Sequence, residues 1–133
     1  MTGLKIGIAA IVVFGLVAAS GPVLAQDAPT PITVQLTDYR FTPAEIDLVH
    51  GQSYVLHLVN PHGGGHDLSA KAFFQSVTLA PESAAVASNG DVEVKGGQSA
   101  DIAFTAGAPG TYEMKCTHPL HAMFGMTGKI VVQ

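Results

Sequence analysis

The chain has 133 residues and a formal net charge of -4, a size that suits one domain rather than two. Ten acidic residues against six basic ones leave no basic patch of the kind nucleic acid requires. The single cysteine, Cys116, excludes a disulfide framework within the chain.

In chain order, Lys5, the apolar run Ile6 to Ala19 and the small-residue site Val23-Leu24-Ala25 make residues 1–25 a secretory signal peptide by pattern. The apolar run is short for a membrane span, and Gly21-Pro22 interrupts it. The domain is expected over residues 26–133, with no membrane association after cleavage. Asp27 to Pro31 reads as a lead-in. A first strand follows at Ile32 to Leu36, where apolar and polar residues alternate at period two. Pro43 bars the Tyr39–Phe41 stretch from a central ladder position. Strands are expected over Glu45 to Val49 and Tyr54 to Val59, the second apolar on both faces.

Asn60-Pro61-His62-Gly63-Gly64-Gly65-His66 is a loop whose glycines permit close backbone approach. Ser69 is placed to cap a short helix over Ala70 to Gln75, packed by Phe73 and Phe74. Val77 to Ala87 fits either an extended or a helical reading. Strands follow over Asp91 to Lys95, Ser99 to Thr105, a segment ending at Cys116, and Gly128 to Val132. Tyr112, Met114 and Cys116 share one face of their strand, so Cys116 points inward. Seven or eight short strands with one short helix predict an all-β Greek-key sandwich.

A signal peptide implies an oxidising compartment, where a lone exported thiol is oxidised unless something occupies it. Cys116, His118, His121, Met123 and Met126 lie within eleven residues and are the soft and imidazole donors that select copper over calcium or magnesium. A copper site built for electron transfer takes two histidines and a cysteine with a weak axial methionine. Cys116, His121 and Met126, each separated by four residues, supply three of these donors. The second histidine has to come from a distant strand end, and the glycine loop offers His66.

The pattern Cys116-x4-His121-x4-Met126, followed by Thr127-Gly128-Lys129-Ile130-Val131-Val132, resembles the C-terminal ligand loop of cupredoxins, the blue copper proteins. It looks closest to rusticyanin-like and sulfocyanin-like proteins and to plastocyanin/azurin-family domains. Tyr54 to Asp67 is similar to the strand and loop that lead to the family's N-terminal histidine ligand. The resemblance covers essentially all of residues 26–133. It implies a cupredoxin-like sandwich holding one type 1 copper through His66, Cys116, His121 and Met126. Two departures stand out. Leu120 follows Pro119 where many relatives have glycine, and Asp67 follows His66 where they have asparagine. An ionised Asp67 near the metal would favour Cu(II) and lower the reduction potential.

His66 is preferred to His62 because it opens the next apolar segment, where a strand end can hold it. Met126 is preferred to Met123, which has little room to return to the metal from one residue beyond His121. His118 is expected to turn its ring away from the Cys116 side chain and to act beside the site or on the surface. His50 and His57 read as structural.

Two functions follow. One is periplasmic transfer of single electrons between redox protein partners docking near Leu120, His121, Met123 and Phe124, an uncharged patch of the kind that marks docking surfaces. The other is periplasmic copper homeostasis or delivery, with copper donor or acceptor proteins as partners and His62, His118 and Met123 as extra donors. No enzyme is expected. A multicopper relay needs histidines on both sides of the cysteine, where this chain has Lys115 and Thr117. A cysteine hydrolase leaves the methionine spacing unexplained, and one cysteine is too few for the common structural zinc sets. A monomer is expected.

Overall fold

The computed structural model describes residues 27–133, together with Gly3; the signal-peptide assignment lies outside the described residues. Ten strands and two helices follow in the order β1 (Thr30–Thr37), β2 (Arg40–Thr42), β3 (Glu45–Leu48), β4 (Ser53–Val59), β5 (His66–Ser69), α1 (Lys71–Ser76), β6 (Thr78–Leu79), α2 (Pro81–Ala87), β7 (Asp91–Val94), β8 (Ser99–Thr105), β9 (Gly110–Lys115) and β10 (Thr127–Val132). The strands form two five-stranded sheets, ordered β2-β1-β4-β8-β6 and β3-β10-β9-β5-β7. From β2 to β9 every successive strand lies in the other sheet, so the connections arch across the ends of a Greek-key sandwich.

The period-two pattern is what closes the two sheets on one another. Val34 and Leu36 of β1, Tyr54, Leu56 and Leu58 of β4, and Ile102 and Phe104 of β8 point inward from one sheet. Ile46 and Leu48 of β3, Met114 of β9, and Ile130 and Val132 of β10 meet them from the other. Parallel pairing of β1 with β4 and of β10 with β3 ties the first third of the chain into both sheets. Pro43 lies just beyond β2, which takes a sheet edge as expected.

Two local readings differ from the structure, one open stretch resolves, and the element count rises. The lead-in is partly strand, because β1 begins at Thr30 and pairs Thr30 with Tyr54. Ser69 does not cap α1. It is buried as the last residue of β5, and Ala70 takes the cap position without a side-chain hydrogen bond. The ambiguous stretch divides into β6 and a second helix, α2, with Pro81 in its first turn, where a missing N–H costs nothing. The strand count reaches ten because β2 and β6 are only three and two residues long and β5 is a separate strand beginning at His66.

Candidate metal centre

Two chain segments meet at one end of the sandwich. His66 opens β5, and antiparallel pairing of Ser69 with Lys115 runs the start of β5 alongside the residues that follow β9. Cys116 is the first of these. Its Sγ lies 3.4 Å from His121 Nδ1, and His121 Nδ1 lies 3.2 Å from His66 Nδ1. One ligating atom from each of these three residues falls within 4.8 Å of the other two.

The loop from Cys116 to Met126 is shaped by its own backbone. Cys116 N–H donates to the Met126 carbonyl at 3.0 Å, and Met126 N–H donates to the His121 carbonyl at 3.0 Å. Phe124 N–H donates to Leu120 O at 3.0 Å, which coils the intervening segment. Cysteine, histidine and methionine are therefore joined by main-chain bonds as well as by spacing. Met126 is fully buried, whereas Met123 is 78% exposed. His66 is buried and His62 exposed, so the histidine preferred from sequence is the one brought to the cluster.

Burial sets the electrostatics of these groups. Loss of hydration pushes the Cys116 thiol up from 9.0 to about 11. Burial, reinforced by the neighbouring His121, lowers the His66 pKa, and the carboxylate of Asp38 opposes that shift. Both effects favour the neutral forms until a cation occupies the cluster and compensates the thiolate.

Around the donors stands a bracing layer that the sequence showed only in part. Asp67 is buried, accepts the Thr117 N–H at 2.5 Å and accepts the Thr117 hydroxyl through its other oxygen. This carboxylate clamps the strand carrying His66 to the loop carrying Cys116. His118 is not one of the three donors grouped with Cys116. Its Nε2 lies 2.9 Å from Glu93 Oε2, and its ring stacks on His121 at 5.4 Å between centroids. Asp67, Glu93 and His118 form a second group of close oxygen and nitrogen atoms, but both Asp67 oxygens are engaged by Thr117.

The glycine loop is knitted by Asn60, a fully buried residue that sequence reading did not single out. Its amide donates to Gly64 O at 2.6 Å and Val94 O at 3.0 Å, and its oxygen accepts His62 N–H at 3.2 Å. The close approach expected of the glycines occurs at Gly65, where an added Cβ would meet Glu93 Oε1 at 3.0 Å and His118 Cε1 at 3.2 Å. Asp38 and Tyr39, in the turn between β1 and β2, were also missed as site residues. Asp38 Oδ1 lies 3.1 Å from His66 Nε2, while the Tyr39 ring meets His121 edge-on at 5.0 Å. His50 bonds the Gly107 carbonyl at 2.6 Å and His57 pairs with Asp101, both structural roles.

Two imidazoles and one thiol with a buried thioether following in the same loop fit copper by donor chemistry, and they match neither common structural zinc sets nor oxygen-rich cation sites. Comparison with known proteins agrees. Residues 29–133 match the family described as copper binding proteins of the plastocyanin/azurin family. The copper-resistant cuproprotein CopI of Rubrivivax gelatinosus is 31% identical over 118 residues, spanning 82% of this chain and 70% of that protein. Auracyanin A, a blue copper protein of Chloroflexus aurantiacus, superposes with a TM-score of 0.59 at 23% identity, covering 80% of this chain and 100% of its own. Auracyanin of Roseiflexus castenholzii gives 0.57 at 23% identity, covering 80% and 98%. The chain thus belongs to the plastocyanin/azurin family of copper-binding proteins, and its donor cluster suits one copper.

Proposed function

We propose that this protein carries single electrons between redox proteins in the periplasm, with no substrate turnover of its own. Copper bound by His66, Cys116, His121 and Met126 supplies a Cu(II)/Cu(I) couple. Cys116 Sγ and the Nδ1 atoms of His66 and His121 would be the strong donors to that copper, and the Met126 thioether a weak one. A donor set fixed by β5, the Cys116–Met126 backbone bonds and the Asp67 clamp suits both oxidation states in nearly one arrangement. An electron accepted from a reduced partner is passed to an oxidised one, and no proton or bond need change hands.

The observation that carries the reading is the placement of His121. His121 is half-buried, in the same loop as Leu120, Met123 and Phe124, which are 57%, 78% and 58% exposed. A buried centre whose outermost donor is ringed by uncharged side chains can approach a partner closely without stripping charges of water. Export by way of residues 1–25 would expose a lone thiol to an oxidising compartment, and bound copper would occupy Cys116 there.

A second reading, copper homeostasis or delivery, is favoured by the likeness to a copper-resistant cuproprotein and by the exposed Met123 thioether beside the site. The two readings separate in one pair of measurements. Electron self-exchange of the copper protein is followed by NMR, and Cu(I) loss to a competing acceptor protein is followed in parallel. The electron carrier exchanges rapidly and retains its copper. Slow exchange with ready transfer of Cu(I) would contradict that reading in favour of delivery.

A further inference from the structure

The β1–β2 turn touches both histidines of the centre. Tyr39 lies against His121 and, at 5.0 Å between centroids, against Phe124, while Asp38 reaches His66. His66 is a fully buried imidazole with its Nδ1 toward His121 and its Nε2 toward the Asp38 carboxylate, whose side chain is 63% exposed. A carboxylate oxygen accepts hydrogen bonds, so the contact places the ring proton on Nε2 and leaves Nδ1 as a lone pair facing Cys116 and His121.

We propose that Asp38 is a positioning residue for the copper: it fixes the His66 tautomer that presents Nδ1 to the metal, and its negative charge strengthens the hold on Cu(II) more than on Cu(I). The inference rests on the ligand set proposed above and adds a residue outside the ligand loop. A carboxylate behind a ligating imidazole makes that imidazole a better donor, and losing such a partner characteristically weakens metal binding 10–100-fold. Asp67 holds the backbone frame through Thr117, whereas Asp38 acts on the imidazole itself.

The test compares wild type with Asp38→Ala and Asp38→Asn, and uses Asp101→Asn, on β8 beside β4 in the same sheet, as a charge control. Nitrogen-15 NMR of the metal-free full-length mature chain reads the His66 tautomer. Titration with Cu(II) and voltammetry of the loaded protein read affinity and potential. Wild type holds the Nε2–H form. Asp38→Ala loses that preference, binds Cu(II) about tenfold more weakly and has a higher potential, by about 59 mV for each tenfold of differential weakening. Asp38→Asn keeps the tautomer through its amide oxygen but raises the potential by less. Asp101→Asn changes neither. A His66 that keeps the Nε2–H form in Asp38→Ala with unchanged affinity and potential overturns the inference, as does an equal shift from Asp101→Asn. The tautomer is read without copper, so failure of Asp38 is distinct from failure of the ligand assignment, which would show as a missing thiolate band in wild type.

Discussion

Leu120 adopts a φ of 69°, the left-handed region that L side chains avoid and glycine enters freely. Leu120 therefore carries backbone strain while presenting a largely exposed apolar side chain next in sequence to His121. Left-handed backbone costs a non-glycine residue about 1–2 kcal/mol, while glycine loses about 0.5–1 kcal/mol of that through its freer unfolded chain. Leu120→Gly is therefore expected to raise the stability of the metal-free protein by about 1 kcal/mol in urea denaturation, and to slow electron exchange with partners by removing part of the rim. Met126 makes a complementary prediction. Met126→Leu preserves the buried volume and removes the thioether, so the visible band persists and the potential rises, because a donor that stabilises Cu(II) is lost. An unchanged potential in voltammetry would point to Met123 instead.

Among the elements, the strands were legible from apolar runs and alternation: β4, apolar on both faces in sequence, alternates half-buried and buried residues from Ser53 to Val59, and β8 matches its expected limits of Ser99 and Thr105. The ligand loop was legible because its donors are close in sequence and its spacing is fixed. What could not be read is what the crossing of the sheets brings together. Asn60 meets Val94, Thr117 meets Asp67, and Asp38 meets His66, none of them near neighbours in sequence. The Ser69 cap failed for a related reason: pairing with Asp91 and Lys115 claims that residue for a strand before a helix can use it. The β6–α2 stretch did carry a signal, the Ala80-Pro81-Glu82 start, which matches a proline in a first helical turn followed by an acidic residue. Asn60 gives the element-scale prediction. Asn60→Ala leaves the Gly64 and Val94 carbonyls without their buried donor, which is expected to cost about 1–3 kcal/mol. Copper affinity should fall with it, because the loop leading to His66 loosens. Thermal denaturation and Cu(II) titration of the variant check both effects.

For the whole molecule, the buried titratable groups set a stability plateau. The His66 pKa is lowered by folding, so stability is full above 6.5 and is lost as pH falls toward the folded-state value. The Cys116 thiol is raised to about 11, so stability is full below 9.0 and is lost as pH rises through about 11. The metal-free protein should then be most stable between these limits, with melting temperature falling on both sides. Copper reverses the alkaline half, since binding requires the thiolate and releases its proton. Between pH 6.5 and 9.0 the affinity for copper should rise about tenfold per pH unit, one proton being displaced from Cys116. A pH-independent affinity, measured by competition with a chelator of known protonation, would show that the thiol is not a ligand.

The visible absorption spectrum of the Cu(II)-loaded protein tests the ligand set most directly. His66, Cys116 and His121 around copper, with Met126 beyond, predict an intense thiolate-to-copper band that Cys116→Ser abolishes. A colourless Cu(II) complex, or a band that survives Cys116→Ser, would contradict the site.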